Sequence, residues 1–282
     1  MILRRGWLAV LLLAAASSAP ADTRTIVVCA PGLPGDTVQA QPTMDAFARF
    51  VEGAAGLKPE SVGLVYHETE AAGVARLGQP DAALALVTLP FLAKYRSQLA
   101  LVPRLGVVSE SGSSSEVWSL VAKRGAVGAP AALDGWEITG IPGFAPEFVR
   151  ESVLGRWGAL PESARITFTS RVASALLKAA SGQKLAVLLD GEQAQALPSH
   201  PRAAELEVVA ASQPVPGSLV CTIGGRGGKD VEALLRALLQ LHRKQGGAEV
   251  LASLRMSRFE SADRAAVERA LGGPAPPPSS GK

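Results

Sequence analysis

Hydrophobic positions come in short runs separated by amphipathic stretches. Residues 25–30 are apolar and β-branched, which predicts a strand, and Pro31-Gly32-Leu33-Pro34-Gly35 after it reads as a loop. Thr43 is placed to cap a helix running to about Ala54, with Met44, Phe47 and Val51 on one face. Gly53 and Gly56 end it. A strand at 62–66 and a helix at 68–77 follow, the helix closed by Gly78-Gln79-Pro80. Next come a strand at 82–87, a short helix at 90–97 with Pro90 in its first turn, and an extended segment at 99–108. This alternation predicts a mostly parallel sheet with helices on its faces.

The texture then changes. Ser109-Glu110-Ser111-Gly112-Ser113-Ser114-Ser115 is polar and flexible, the composition of a linker. A second series predicts strands at 117–122, 137–140, 165–168, 184–189 and 205–210. It predicts helices at 146–157, carrying Phe148, Val149, Val153 and Leu154, and at 171–180. Gln213-Pro214-Val215-Pro216-Gly217 breaks the chain again. A strand at 218–223 leads to a strong amphipathic helix at 229–243, with Val231, Leu234, Leu235, Leu238 and Leu241 on one stripe. Two more helices are expected to end the fold near Leu271.

The two ends differ from the rest. Residues 1–21 have a positive start at Arg4 and Arg5, an unbroken apolar run from Trp7 to Ala16, and a small-x-small pattern at Ala19-Pro20-Ala21. That is the form of a secretory signal peptide cleaved after Ala21. An uncleaved anchor is the alternative, but the run is shorter than the ~20 apolar residues needed to span a bilayer. Residues 272–282 are rich in Pro, Ser and Gly and have nothing to bury, so a disordered tail is expected.

Composition narrows the function. Hydrophobic residues make up 48% of 282 and charged residues 19%, which argues against a disordered chain or a coiled coil. The net charge is +3 with no basic stripe, and aromatics are 5%, so nucleic acid is a poor partner. Two cysteines rule out a disulfide scaffold and a Cys-rich metal site. After export, Cys29 and Cys221 could form one bridge or stay as two buried thiols. Their apolar surroundings favour the thiols.

The two breaks bracket one α/β unit inside another. The expected organisation is residues 1–21 signal peptide, 22–110 first part of lobe one, 111–216 lobe two, 217–271 return to lobe one with the C-terminal helices, and 272–282 tail. Such a chain crosses between lobes twice, giving a clam-shell with a double hinge. The strand C-termini of both sheets would then face a ligand cleft between the lobes.

Catalytic motifs are not found. No Gly-x-Ser-x-Gly elbow occurs. Gly224-Gly225-Arg226-Gly227-Gly228-Lys229 fails as a phosphate loop, because Ile223 replaces the first Gly and Asp230 the magnesium-binding Ser/Thr, and reads as a flexible turn. His67 stands beside Glu68 and Glu70, which could suit a metal or acid–base role, but a solvated strand-to-helix turn is the favoured reading. His200 lies in a loop and His242 near a helix C-terminus. No cofactor and no metal is expected. The candidate ligand contacts are the residues just after predicted strands: Pro31, Gly32, Thr88, Leu89, Pro90, Gly143, Phe144, Thr169, Ser170, Arg171 and Asp190. Ser170 would be the N-cap of the helix that follows, and exposed N–H groups at helix starts attract anions.

A family resemblance rests on several stretches in a fixed order. Pro80-Asp81-Ala82-Ala83-Leu84-Ala85-Leu86-Val87-Thr88 resembles a strand of periplasmic solute-binding proteins. Ala131-Ala132-Leu133-Asp134-Gly135-Trp136 resembles the segment that opens their second lobe. The run from Phe168 to Val187, Gln213-Pro214-Val215-Pro216-Gly217 and Leu254-Arg255-Met256-Ser257-Arg258-Phe259 are similar to segments of the phosphonate-binding type. The resemblance implies a type II periplasmic-binding-protein-like α/β fold of two lobes. It implies an exported, monomeric solute-binding protein that serves an inner-membrane ABC permease. Phosphonate-binding members carry a Ser/Thr-rich turn in lobe two. Here that turn is Ile141-Pro142-Gly143-Phe144-Ala145-Pro146 and has no hydroxyl, and Arg171 stands where the family has His. A partly apolar ligand, or none, fits that turn better than phosphonate does. Arg171 could pair with a carboxylate or phosphate.

Three functions follow as expectations. The first is capture of a small solute, anionic if Arg171 takes part, with no catalysis. The second is a degenerate binding-protein fold used for sensing or partner docking. The third is an enzyme on the same scaffold.

Overall fold

The computed structural model describes residues 23–32 and 35–272. The expected leader and all but the first residue of the expected tail lie outside the described residues. In chain order the elements are β1 (Arg24–Cys29), α1 (Thr37–Ala55), β2 (Val62–His67), α2 (Glu70–Leu77), β3 (Ala82–Thr88), α3 (Leu89–Tyr95), β4 (Leu101–Ser109) and β5 (Ser115–Glu116). There follow β6 (Ser119–Lys123), β7 (Glu137–Gly140), α4 (Pro146–Phe148), β8 (Arg165–Phe168), α5 (Val172–Ala180), β9 (Leu185–Leu189), α6 (Gly191–Ala196) and β10 (Leu206–Ala211). The chain ends with β11 (Val215–Pro216), β12 (Ser218–Ile223), α7 (Lys229–Gln240), α8 (Gly247–Ala252), β13 (Met256–Ser261) and α9 (Arg264–Ala270).

Two sheets carry these elements. One has the order β13-β4-β12-β3-β1-β2 and the other β10-β6-β9-β7-β8. Between them, β5 and β11 pair antiparallel, with Val215 opposite Glu116 and Pro216 opposite Ser115. The chain therefore leaves the first sheet and returns to it side by side, through one two-stranded ribbon. Trp118 N–H donates to Ser212 Oγ at 2.9 Å, and Ser212 N–H to the Trp118 carbonyl at 2.8 Å, which fastens the ribbon to the second sheet.

The sheets are mixed, which corrects the expectation of mostly parallel ones. Pairing is parallel for β2-β1-β3 and for β8-β7-β9. It is antiparallel where β12, β4 and β13 join and where β6 and β10 join. The returning chain causes this. It comes back from the ribbon as β12 and inserts between β3 and β4, running against both. The segment 256–261, where only helices were expected, is an edge strand with Phe259 as its anchor in the core.

Alternation along each strand sends side chains to both faces. From β1, Ile26 enters a core formed with α1, α7 and α8, through Phe47, Val51, Leu234, Leu238 and Leu251. Val27 and Cys29 enter the opposite core with Leu77, Leu89, Phe91 and Leu92, and this core continues through Val215 and Trp118 to Leu120 and Ile138 of the second sheet. Gly73 of α2 sits so close to β1 that an added Cβ would stand 2.0 Å from Cys29 Sγ. The one acidic side chain buried in α1, Glu52, is satisfied by the Ser61 and Val62 N–H groups at 2.8 and 3.0 Å, which ties the helix to β2.

Local chemistry departs from the sequence reading at four places. The first helix starts at Thr37, capped by Asp36 through Gln39 N–H, and absorbs Pro42 in its interior, so Thr43 is no cap. The helix expected at 146–157 is one α turn followed by a wider turn at Val149–Val153. Ser170 does not cap α5; Arg171 holds that position, and its N–H is taken by Thr169 Oγ1 at 3.1 Å. The glycine-rich turn at 224–228 is pinned rather than free. Arg226 Nη1 donates to the Leu77 and Gln79 carbonyls, both at 2.7 Å, closing the open end of α2.

Cys29 and Cys221 are free and buried. They flank β3, opposite Val87 and Ala85, so two strand spacings, about 9.5 Å, separate them. A disulfide needs Cα atoms within about 7 Å. Burial pushes both thiols up to about 12, which disfavours the nucleophilic thiolate.

A three-residue network locks α2 to β1 and β3. Arg76 Nη1 donates to Asp81 Oδ1 at 2.9 Å, Thr25 Oγ1 to Asp81 Oδ2 at 2.6 Å, and Arg76 Nη2 to Thr25 Oγ1 at 2.9 Å. The Arg76 hydrogen bonds hold the Asp81 carboxyl down to about 2, against the opposing effect of burial. A depressed carboxylate adds stability above its ordinary value of 3.8, and that stability is lost as pH falls toward about 2. Arg76→Met should cost about 1–2 kcal/mol in urea unfolding at pH 7, a value that allows for solvent screening of a pair this exposed. The cost should shrink steadily between pH 4 and pH 2; a difference independent of pH would exclude the network as its source.

Candidate cleft between the lobes

The C-terminal ends of the parallel strands of both sheets come together, as open α/β sheets arrange their ligand crevices. From lobe one, β1 ends in Ala30-Pro31-Gly32, with Pro31 buried and Gly32 half-buried. β3 ends in Thr88, which is half-buried and makes no side-chain cap to α3. Leu89 and Pro90 turn inward. Leu89 is fully buried in the core beneath the cleft wall.

From lobe two, β7 runs into the tight turn Ile141–Phe144. A Cβ on Gly143 would stand 1.9 Å from the Thr167 carbonyl oxygen, so only glycine lets this turn lie on β8. Phe144 meets Phe168 edge to face, centroids 6.3 Å apart at 63°. Phe168 is 46% exposed, an apolar surface at the mouth. Thr169 N–H closes on the Gly140 carbonyl at 3.1 Å, while Ser170 and Arg171 are exposed. Asp190 ends β9 and caps α6, accepting Gln193 N–H at 2.8 Å while its own N–H donates to Gln193 Oε1 at 3.2 Å.

The lobes touch here. A methyl on Gly32 would stand 2.9 Å from the Phe168 ring and 3.2 Å from Ile141. Lys94 of α3 donates to the Phe144 carbonyl at 2.8 Å and to Glu70 at 2.6 Å, and Tyr95 OH donates to the same Glu70 oxygen. Arg255 reaches Glu192 of α6 at 3.4 Å. Of the residues chosen from sequence, Gly32 and Phe144 make contacts across the cleft. Pro31, Thr88, Gly143, Thr169 and Asp190 lie along its rims, while Ser170 and Arg171 follow the edge strand β8. Sequence reasoning missed Lys94 and Phe168. The sequence gives Phe168 no role beyond a strand end and the start of a family-like segment, and Lys94 none within its short helix.

The carboxylates near His67 have structural partners. Glu68 accepts Thr37 N–H at 2.8 Å at the start of α1, and Glu70 serves Lys94 and Tyr95. Among the described residues, no group of His, Cys, Asp and Glu is placed to hold a metal ion. Burial first, then Arg76, lowers the His67 pKa, with Glu68 opposing.

Lys94→Met removes the cross-cleft hydrogen bond, worth about 1 kcal/mol. It should shift the ratio of closed to open molecules about fivefold toward open. Distances between two spin labels, one on each lobe, would show this, and the buried native thiols would not compete for label. An unchanged distance distribution would mean that Lys94 does not hold the lobes.

A sequence model described as an ABC transporter, phosphonate, periplasmic substrate-binding protein matches residues 149–267. The motifs at 168–187, 213–217 and 254–259 fall inside that match. No curated protein matches the chain in sequence. Solved structures share the fold at low identity. XAC2383 from Xanthomonas citri bound to ATP has a TM-score of 0.68 at 11% identity, covering 89% of this chain and 96% of that one. A binding protein component of an ABC phosphonate transporter from Pseudomonas aeruginosa has a TM-score of 0.60 at 15% identity, covering 89% and 86%. PhnD1 from Prochlorococcus marinus in complex with methylphosphonate has a TM-score of 0.56 at 14% identity, covering 89% and 98%. The chain thus has the two-lobed fold of periplasmic binding proteins and resembles their phosphonate-binding type, which supports a solute-binding role.

Proposed function

We propose that this protein captures a small solute between its lobes and presents it to an inner-membrane ABC permease, after export with loss of residues 1–21. One observation carries the reading. Two α/β sheets are joined by the paired crossings β5 and β11, and their strand ends meet across a cleft at Gly32, Phe144 and Phe168. A double crossing lets the lobes swing while holding their register, the geometry of hinge closure around a ligand. Capture needs no bond-making group. Glu52, Glu68, Glu70, Asp81 and Asp190 are taken up by partners that fix loops and helices, a structural use that fits a binding role.

Calorimetry of the mature chain against a panel of small anions, amines and metabolites tests this, with product analysis of each mixture. Binding without turnover is the expected result. Turnover would establish an enzyme on this scaffold, and silence across the panel would favour a sensory or docking role. Arg171 remains the proposed contact for an anionic ligand. Arg171→Ala should weaken such a ligand, and unchanged affinity would remove it from the site.

A further inference from the structure

The helix α9 is tied to lobe one at both ends and lies against the hinge. Its root continues β13, the edge strand on β4, and Ala262 N–H donates to the Arg104 carbonyl at 3.1 Å. Asp263 caps it by accepting Ala266 N–H at 2.9 Å. Its far end is held by a two-pronged pair. Arg96 Nη1 donates to Glu268 Oε2 at 2.8 Å, and Arg96 Nη2 to Glu268 Oε1 at 2.6 Å. On its inner flank, Val267 and Ala270 are buried in one core with Val215 of β11 and Leu219 of β12.

Arg96 belongs to the same helical turn as the cross-cleft contact. Its N–H donates to the Leu92 carbonyl at 2.8 Å, so the spiral of α3 runs on through Arg96. Lys94 and Arg96 are two positions apart, about 200° around a helix. One side of α3 therefore sends Lys94 to the Phe144 carbonyl of lobe two, and the other sends Arg96 to Glu268 of α9. The first turn of α9 is packed less fully than the rest. A groove of about 260 Å³ lies between Asp263 and Ala266 on one side and Ser115, Pro214 and Pro216 of the two crossings on the other. The helix thus grips the ribbon near Val267 and leaves it room beside Ala266.

We propose that α9 is the brace of the hinge, and that the Arg96–Glu268 pair couples the setting of the β5–β11 ribbon to the Lys94 contact across the cleft. This goes beyond solute capture and rests on the same hinge motion. The pair is complete in the arrangement where the lobes touch. When the lobes part, the ribbon turns into the groove beside Ala266 and tilts α9 away from α3. A two-pronged guanidinium–carboxylate bond feels such a tilt, because both prongs depend on one shared plane. The pair therefore favours the closed arrangement, and it can do so only because the two arrangements differ in it. The molecule holds its own reference. Arg104 of β4 pairs with Glu232 of α7 through two prongs of 3.0 Å, and that pair joins neither α3 nor α9.

The test uses the mature chain with spin labels at two exposed positions, Arg49→Cys in α1 and Lys178→Cys in α5, and no added solute. Arg96→Met and Glu268→Gln should each shift the ratio of open to closed molecules about threefold toward open, and the two together no further than either alone. The pair is half-exposed, so its loss leaves a folded chain, which the urea midpoint checks. Arg104→Met should leave the distances in place whatever it does to that midpoint. In a chain already carrying Lys94→Met, Arg96→Met should add less than its full effect, the signature of coupling. Distances unmoved by Arg96→Met and Glu268→Gln, with Lys94→Met still moving them, would overturn the brace and leave the hinge motion standing. An equal shift from Arg104→Met would overturn it too, as would full additivity with Lys94→Met. Distances that neither these variants nor any solute of the panel moves would remove the hinge motion itself.

Discussion

Gly143→Ala should destabilise the protein by about 3 kcal/mol, the scale of a core overpacked against something that cannot yield. The added methyl would lie 1.9 Å from the Thr167 oxygen, 2.3 Å from its carbonyl carbon and 2.7 Å from Phe168 N. All three are backbone atoms of β8 and its end, so no side chain can rotate away. Relief requires β8 to move off the Ile141–Phe144 turn. That move breaks the Thr169 N–H bond to Gly140 and separates Phe144 from Phe168. Stability and cleft shape should therefore fail together. Gly53→Ala is the natural control. It lies exposed in α1 with nothing within 4 Å of the new methyl, so it should raise stability by about 0.5–1 kcal/mol. Urea midpoints for the two variants should move in opposite directions. Equal midpoints for wild type and Gly143→Ala would show that the turn does not pack on β8 as described.

What the sequence reveals and what it hides divide along a physical line. Strands such as β3 and β9 are legible because both faces are buried and every position but Thr88 is apolar. α7 is legible because its stripe at Val231, Leu234, Leu235 and Leu238 meets one core. β13 is hidden, since an edge strand with one fully buried residue, Phe259, has no clear period. The start of α1 is hidden by Pro42, which reads as a stop but is tolerated in the second turn. The mixed sheet order is hidden for another reason. Nothing local in Ser218–Ile223 says that it will slide between β3 and β4 rather than add at an edge.

The cleft shows the same division. Turns after strands mark the rims, so Gly32, Phe144 and Asp190 could be chosen from local pattern alone. Contacts that join the lobes are non-local. Lys94 meets Phe144 across 50 residues, and Glu116 meets Val215 across the whole second lobe. In isolation Glu116 follows a run of serines and reads as a solvated linker residue. Its burial comes from pairing with a strand that the chain reaches only on its way back.

That burial has a consequence for stability, separate from any solute. Glu116→Gln should stabilise the protein at pH 8.5 by on the order of 2 kcal/mol, a figure reduced for the partial solvent access of the side chain. The direction follows from linkage. The carboxyl is raised from its ordinary value of 4.5 to about 8 on folding, chiefly by burial and then by Asp190. A raised carboxyl binds its proton more tightly in the folded state, so wild type loses stability as pH climbs from about 4.5 to about 8. Glutamine keeps the shape of the protonated acid and carries no charge at any pH, so it escapes that loss. The variant and wild type should have matching urea midpoints near pH 4.5 and diverge steadily up to pH 8.5. Asp190→Asn should capture part of the same gain, because it removes the charge that Glu116 opposes, and the two gains should fall short of additive. Parallel stability curves across the whole range would place Glu116 in water, and the hinge would then carry no buried charge.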